Sequence, residues 1–314
     1  MKRENNQQAS RNVRRERNTK PKPPHRQFHI TEETQLLNYL LQVLADKSRS
    51  TVKSILANSQ VSVNSTVTTQ FNHLLRPGDE LMVNMEKGVQ IFDNPEVKIV
   101  YEDDDLIVIN KREGLLSVAT NQVKDRTAYR ILRDYVKQSG EHHKIFILHR
   151  LDRETSGLMM FAKSIAVQEQ MQKHWKEMIV ERKYVAVVEG KPEKLKGEIT
   201  SNLRENSAMN VYSAKHGRRA TTAYEMLKTN DTYSLLELQL ETGRKNQIRI
   251  HLTELGHPIA GDGKYGAATN PIKRLALHAR KLKFIHPTTR QVLDFQTDVP
   301  KKFLQLVQAN FQKK

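Results

Sequence analysis

The chain has 314 residues, no cysteine, 37% apolar residues, and 52 Lys and Arg against 35 Asp and Glu, for a formal net charge of +17. That length allows one large domain and one small one, and the lack of cysteine excludes disulfides and thiolate metal sites and is compatible with a cytoplasmic location. A balance this basic implies a polyanionic partner, nucleic acid first. No apolar run approaches the ~18 residues of a membrane span, and the stretch after Met1 has no apolar signal core, so neither a membrane partner nor secretion is expected.

Residues 1–27 carry Lys2, Arg3, Arg11, Arg14, Arg15, Arg17, Lys20, Lys22 and Arg26 against Glu4 and Glu16. Such a segment cannot bury a core, so a disordered basic arm is expected, either touching RNA or serving only solubility. From residue 28 to 88 a small α/β module is predicted. Leu36, Leu37, Leu40, Leu41 and Leu44 recur at helical spacing, and Ser48 or Ser50 can cap a second helix bearing Val52, Ile55 and Leu56. Val61 and Val63 alternate as a strand; Leu75-Arg76-Pro77-Gly78-Asp79 is a turn, and Leu81, Val83 and Met85 alternate after it. This order resembles the S4 RNA-binding domain. The resemblance implies RNA contacts from Arg49, Lys53 and Asn64, although the two cations taken alone also read as a solvated helix face. Asn64-Ser65 stands where that domain usually has Asn-Gly, and Ser tolerates positive φ poorly.

Residues 89–96 read as a linker and 97–314 as the larger domain. Val97 to Tyr101 and Leu106 to Asn110 are strand candidates around the turn Asp103-Asp104-Asp105, which lacks the Gly and later Glu of a calcium loop. Lys111-Arg112-Glu113-Gly114 follows. Thr127 opens a helix with Ala128, Ile131, Leu132, Tyr135 and Val136 on one face. Two apolar runs, Ile145 to Leu148 and Leu158 to Ala162, then flank His149-Arg150-Leu151-Asp152-Arg153-Glu154-Thr155-Ser156-Gly157. One carboxylate, Asp152, thus sits on a polar connection between buried strands with arginines on both sides. A neighbouring cation favours an ionised Asp, which can act as nucleophile or base or simply form a structural ion pair.

Ser164 can cap a helix whose Val167, Met171, Trp175 and Met178 pack into a core. Strands are predicted around Arg182 to Gly190, Glu198 to Asn202, Ala220 to Leu227 and Tyr233 to Leu240. In the segment Gln247 to Leu255 the alternation of Ile248, Ile250 and Leu252 suits a strand. The set Ile248, Leu252 and Leu255 with the stop at Gly256 suits a helix, which is preferred. Strands recur from Leu275 to Phe295, and Lys301 to Gln312 reads as a terminal helix. Elements mix without a regular βαβ repeat, so an α+β domain is expected, with a largely antiparallel mixed sheet flanked by helices.

HRLDRETSGL resembles the signature of the RluA-type family of RNA pseudouridine synthases. Arg182-Lys183-Tyr184-Val185-Ala186-Val187-Val188-Glu189-Gly190 resembles its tyrosine-bearing strand. Thr242-Gly243-Arg244-Lys245-Asn246-Gln247-Ile248-Arg249-Ile250-His251-Leu252, with Leu255-Gly256-His257-Pro258-Ile259-Ala260-Gly261-Asp262, resembles its basic motif. The family usually has Lys-Pro where this chain has Lys111-Arg112, which leaves the rigidity of that loop open. The resemblance implies isomerisation of uridine to pseudouridine in RNA. It makes Asp152 the catalytic carboxylate, attacking C6 of the base or C1′ of the ribose or abstracting the C2′ proton. Arg249 would pair with Asp152, and Tyr184 would stack on the base and help move the C5 proton. Arg150 would fill the gap left by the flipped base, Arg244 and Lys245 would meet RNA, and His149 would be structural.

Other readings fail on spacing. His149-Arg150-Leu151-Asp152 lacks the other parts of a kinase, Thr242-Gly243-Arg244-Lys245 is no phosphate loop, and neither HExxH nor GxGxxG occurs. No cofactor, metal or obligatory protein partner is expected. Members of the family with an S4-like domain resemble those acting on large-subunit ribosomal RNA, so rRNA is the expected substrate, with tRNA as runner-up. A non-catalytic RNA- or ribosome-binding factor is the rival from another class.

Overall fold

The computed structural model describes residues 25–64, 66–85, 92, 94–120, 125–138, 143–207 and 210–308. The chain divides into two units, residues 1–91 and 92–314. In the first, β1 (His25–His29), β6 (Glu80–Asn84), β3 (Val61–Val63) and β4 (Thr66–Val67) form an antiparallel sheet in that order, and β2 (Thr34–Gln35) pairs with β5 (Leu74–Leu75). Helices α1 (Leu36–Val43) and α2 (Arg49–Ala57) cover the sheet side chains: Leu36, Leu40, Leu44, Val52, Ile55 and Leu56 join Val61, Leu81 and Val83 in one core. Ser48 caps α2 by accepting the Thr51 N–H. Residues 25–27, expected as the end of the arm, are the first three of β1; Arg26 pairs there with Val83 and binds Asp46 through both terminal nitrogens. The rest of that arm lies outside the described residues, as do residues 89–91 and 93 of the linker.

The second unit contains an eleven-stranded sheet among the described residues. Its strands are β7 (Val97–Glu102), β8 (Leu106–Lys111), β9 (Phe146–Ile147), β10 (Ser156–Ala162), β11 (Ile179–Glu189), β12 (Lys196–Glu205), β13 (Val211–Ser213), β14 (Arg218–Thr229), β15 (Tyr233–Leu240), β16 (Leu277–Ile285) and β17 (Val292–Gln296). The order runs β13-β12-β14-β15-β11-β16-β10-β8-β7, with β17 on β16 and β9 on β10. All named pairings are antiparallel except β10 with β16, which is parallel and only two residue pairs long, Ser156 with His278 and Gly157 with Ala279. Helices α3 (Ala128–Gln138), α4 (Ile165–Lys173), α5 (Trp175–Met178), α6 (Gln247–Glu254) and α7 (Lys301–Leu306) flank it. This is a mixed α+β architecture.

The local causes are legible. Every residue of β10 is buried, as its unbroken apolar run requires of a central strand. On α3 the buried positions Ala128, Leu132 and Val136 recur every four residues. The single helix expected from Ser164 through Met178 breaks at His174. Met171 and Met178 are fully buried, but Trp175 is only partly covered. The Asp103 turn is self-contained: its carboxylate accepts from the N–H groups of Asp105 and Leu106 and from Tyr101 and His286. The helix expected to reach Gln312 ends at Leu306, and residues 309–314 lie outside those described.

Candidate active site

Asp152 rides on the connection between β9 and β10, and that connection is tied down from below. Ser117 Oγ donates to the Leu151 carbonyl at 2.7 Å and accepts the Leu151 N–H at 3.1 Å. The fully buried Lys111 donates to the carbonyls of Leu115 at 2.8 Å, Arg112 at 3.1 Å and Arg153 at 3.3 Å. Burial pushes its amine down to about 8, against the pull of Asp152 and Glu154. Gly114 N–H donates to Arg153 O, and the ion pair of Arg274 with Glu113 at 2.7 Å fastens the same loop to the base of β16. These bonds do the work left open by the missing proline.

Five residues on, Gly157 lets β10 reach β16. Its φ is +115°, and a Cβ there would lie 2.2 Å from the Ala279 carbonyl oxygen. Across Ala279, on β11, stands Tyr184. The three strands therefore bring the Asp152 connection and Tyr184 to one place. Tyr184 is buried, and among the described residues its hydroxyl has no hydrogen-bond partner. Burial raises the phenol, with Arg182 opposing and Asp152 adding to the rise.

The third arm is α6. Residues 247–252 are all buried, so this stretch of the helix has no solvent face, and Gln247, Arg249 and His251 each carry a partner. Gln247 accepts from Thr242 Oγ1 and the Arg244 N–H and donates to Thr221 O and Thr222 Oγ1, which folds the Thr242–Asn246 loop over the site. His251 bonds Thr222 and Ser201. Arg249 donates Nε and Nη2 to the two oxygens of Asp262, both at 2.7 Å, and directs Nη1 toward Asp152 Oδ2 at 3.7 Å. Its guanidinium also lies over the Tyr265 ring, 4.8 Å from the centroid.

Asp152, Tyr184 and Arg249 thus converge on a cleft of about 380 Å³, lined also by Arg150, Arg244 and Asn246. Asp152 keeps about a quarter of its side chain open to the cleft. Burial raises its carboxyl above the usual range, and Arg249 and Arg150 pull it back. A partly desolvated carboxylate beside a fixed cation is suited to nucleophilic or proton-abstracting work. The cleft widens into a space of about 1250 Å³ that includes His149, Trp175, Arg182, Arg244 and Lys245. His149 accepts the Met160 N–H at 3.2 Å, and burial, with Arg182 nearby, pushes it down to about 3, so it stays neutral.

Of the residues singled out from the sequence, Arg150, Asp152, Tyr184, Arg244, Lys245 and Arg249 meet here. Arg49 and Lys53 lie one turn apart on exposed positions of α2 in the first unit. Asn64, with φ +49°, bonds Asp79 and the Glu80 N–H and closes β3 against β6. Ser65, the other residue of that turn, lies outside the described residues. Asp262 and Lys111 received no role from the sequence. A signal for Asp262 existed: an arginine inside a buried helix demands a buried carboxylate, and Asp262 follows in the same motif.

A family profile described as RNA pseudouridylate synthase matches residues 105–254. Ribosomal large subunit pseudouridine synthase D of Haemophilus ducreyi is 30% identical over 290 residues, covering 86% of this chain and 89% of that protein. An uncharacterized RNA pseudouridine synthase of Synechocystis sp. is 31% identical over 283 residues, 86% of either chain. Among solved structures, human RNA pseudouridylate synthase domain containing 4 aligns with a TM-score of 0.54 and 26% identity, over 66% of this chain and 90% of its own.

Proposed function

The chain belongs to the RNA pseudouridylate synthase family and is an RNA pseudouridine synthase, an isomerase; from that premise we propose that Asp152 is its catalytic carboxylate and uridines of large-subunit ribosomal RNA its substrate. The observation that carries the residue assignment is the convergence of Asp152, Tyr184 and Arg249 on one cleft. In the reaction the glycosidic C–N bond breaks, the base turns over while bound, and C5 joins C1′. The proton leaving C5 is matched by one gained at N1, so no redox partner or energy input is needed. Asp152 attacks the base or sugar, or takes the C2′ proton. Arg249, fixed by Asp262, faces the carboxylate at 3.7 Å and favours its ionised form without holding it tightly. Tyr184 stacks on the base and offers an unpartnered hydroxyl for proton transfer. Arg150, exposed at the rim, takes the gap left by the flipped base, whose extrusion costs a few kcal/mol.

Residues 28–88 are assigned as an S4-like RNA-binding module presenting Arg49 and Lys53, and 97–314 as the catalytic domain, acting in the cytoplasm. A module separate from the catalytic cleft suits a target larger than one hairpin, since only such an RNA can engage both. The rRNA choice draws support from the similarity to ribosomal large subunit pseudouridine synthase D proteins. The test is tritium release from C5-labelled, unmodified large-subunit rRNA and tRNA transcripts incubated separately with the protein. Release from rRNA is expected; conversion of tRNA with none in rRNA overturns the substrate.

A further inference from the structure

Arg182 is a second cation that the site holds in readiness. It stands two residues before Tyr184 on β11, whose pairing with β16 is irregular between Lys183 and Tyr184, and both side chains line the same cleft. Its guanidinium lies over the Trp175 ring, 5.7 Å from the centroid. On the other side it rests against Gly243, where a Cβ would come within 2.9 Å of Nη1. Trp175 is in turn backed by the His149 ring at 5.7 Å. Yet among the described residues the Arg182 side chain makes no hydrogen bond and no ion pair. Five donor hydrogens are therefore held in a fixed plane with nothing to receive them.

The surroundings favour an anion. The side chains lining this wider cleft include five cations, Arg150, Lys176, Arg182, Arg244 and Lys245, against two carboxylates, Asp152 and Glu241. Arg150 and Lys176 are exposed and must be ordered when RNA binds, while Arg244 donates to the Arg219 carbonyl at 3.3 Å and Lys245 pairs with Glu205. Arg182 alone is clamped between a ring and a backbone, so it loses little freedom on binding.

We propose that Arg182, clamped between Trp175 and Gly243, binds a backbone phosphate of the RNA at the target uridine. This deepens the function above and rests on it. Arg182 and Tyr184 line the same cleft, so a nucleotide whose base stacks on Tyr184 brings its own or the adjoining phosphate into the space that Arg182 also lines. A guanidinium takes two phosphate oxygens side by side, which sets the orientation of the strand as it enters. The contact is the same before and during the chemistry, so it serves binding more than turnover.

The test uses full-length protein carrying Asp152→Asn, so that binding is read without turnover, on large-subunit rRNA and tRNA transcripts in parallel. Adding Arg182→Gln should lower the slope of log affinity against log salt by one contact, about 0.7 to 0.9, while Arg182→Lys keeps the slope. In the enzyme with Asp152 intact, Arg182→Gln should raise KM and spare kcat. An unchanged slope on both RNAs, or a fall in kcat at unchanged KM, overturns the proposal. If Arg182→Gln does not fold, Gly243→Ala displaces the guanidinium and keeps its charge; a raised KM supports the contact and a wild-type KM overturns it. A protein that binds these RNAs but converts no uridine counts against the isomerase substrate, while the slope comparison still decides the role of Arg182.

Discussion

Arg249 gives two of its nitrogens to Asp262 at 2.7 Å and only the third to Asp152, at 3.7 Å. The arginine that faces the reacting carboxylate is therefore held by a different one. Asp262, with 1% of its side chain exposed, absorbs most of the guanidinium charge and fixes its plane. Asp152 is left with a long, weak contact, free to leave its cation for a substrate atom.

Asp262→Asn should be damaging in two ways. Removing one member of a buried pair costs roughly 3–5 kcal/mol, because the other charge stays behind without compensation. Thermal melts should fall accordingly, and tritium release should drop by more than the loss of folded protein explains. A variant with wild-type turnover would mean that Arg249 needs no anchor.

Asp152→Asn should be inactive but no less stable at pH 7. Burial lifts the carboxyl of the folded chain above the ordinary ~3.9. Below about 3.9 both states are protonated and the group contributes nothing. As pH rises from there through the folded value, the unfolded chain ionises first and stability is lost. The amide removes that loss, so its melting temperature should equal or exceed wild type at pH 7 and the difference should shrink in acid. The same shift places the acid limb of kcat/KM above the ordinary aspartate range. A limb at or below it, or a destabilised Asp152→Asn, contradicts the account.

Tyr184→Phe separates ring from hydroxyl. No protein group bonds that hydroxyl among the described residues, so stability should hold. RNA binding through the ring should also hold, and kcat should fall. Wild-type kcat would show that the hydroxyl moves no proton; a large rise in KM would show that it binds substrate.

Much of this was readable from residues alone. The alternating or unbroken apolar runs at Leu106–Asn110, Leu158–Ala162 and Tyr233–Leu240 are strands because sheet burial writes itself as period two or as a continuous run. The segment Gln247 to Leu255 was ambiguous for a physical reason. A helix buried on every side has no polar face, so its periodicity disappears, and Gln247, Arg249 and His251 are polar only because each has a partner inside. Asp262 follows in the same motif as Arg249, but its role becomes readable only once α6 is known to be buried, which makes the arginine demand a buried carboxylate. Trp175 reads as core packing and does pack against the cluster of Val167, Met171 and Met178; after the break at His174 it also lines the cleft.

The parallel junction of β10 with β16 has a bearing on how the chain is made. Among the described residues only the pairs Ser156 with His278 and Gly157 with Ala279 stitch the two parts of the sheet as strand partners, and the partners lie 122 residues apart. At roughly 5–20 residues per second of synthesis, on the order of 6–24 s passes between Ser156 and His278 leaving the ribosome. Until β16 arrives, β10 presents an apolar edge without its neighbour, although Tyr184 and Arg249 have already been made. Such an edge invites pairing with other chains, a hazard that ends when β16 docks.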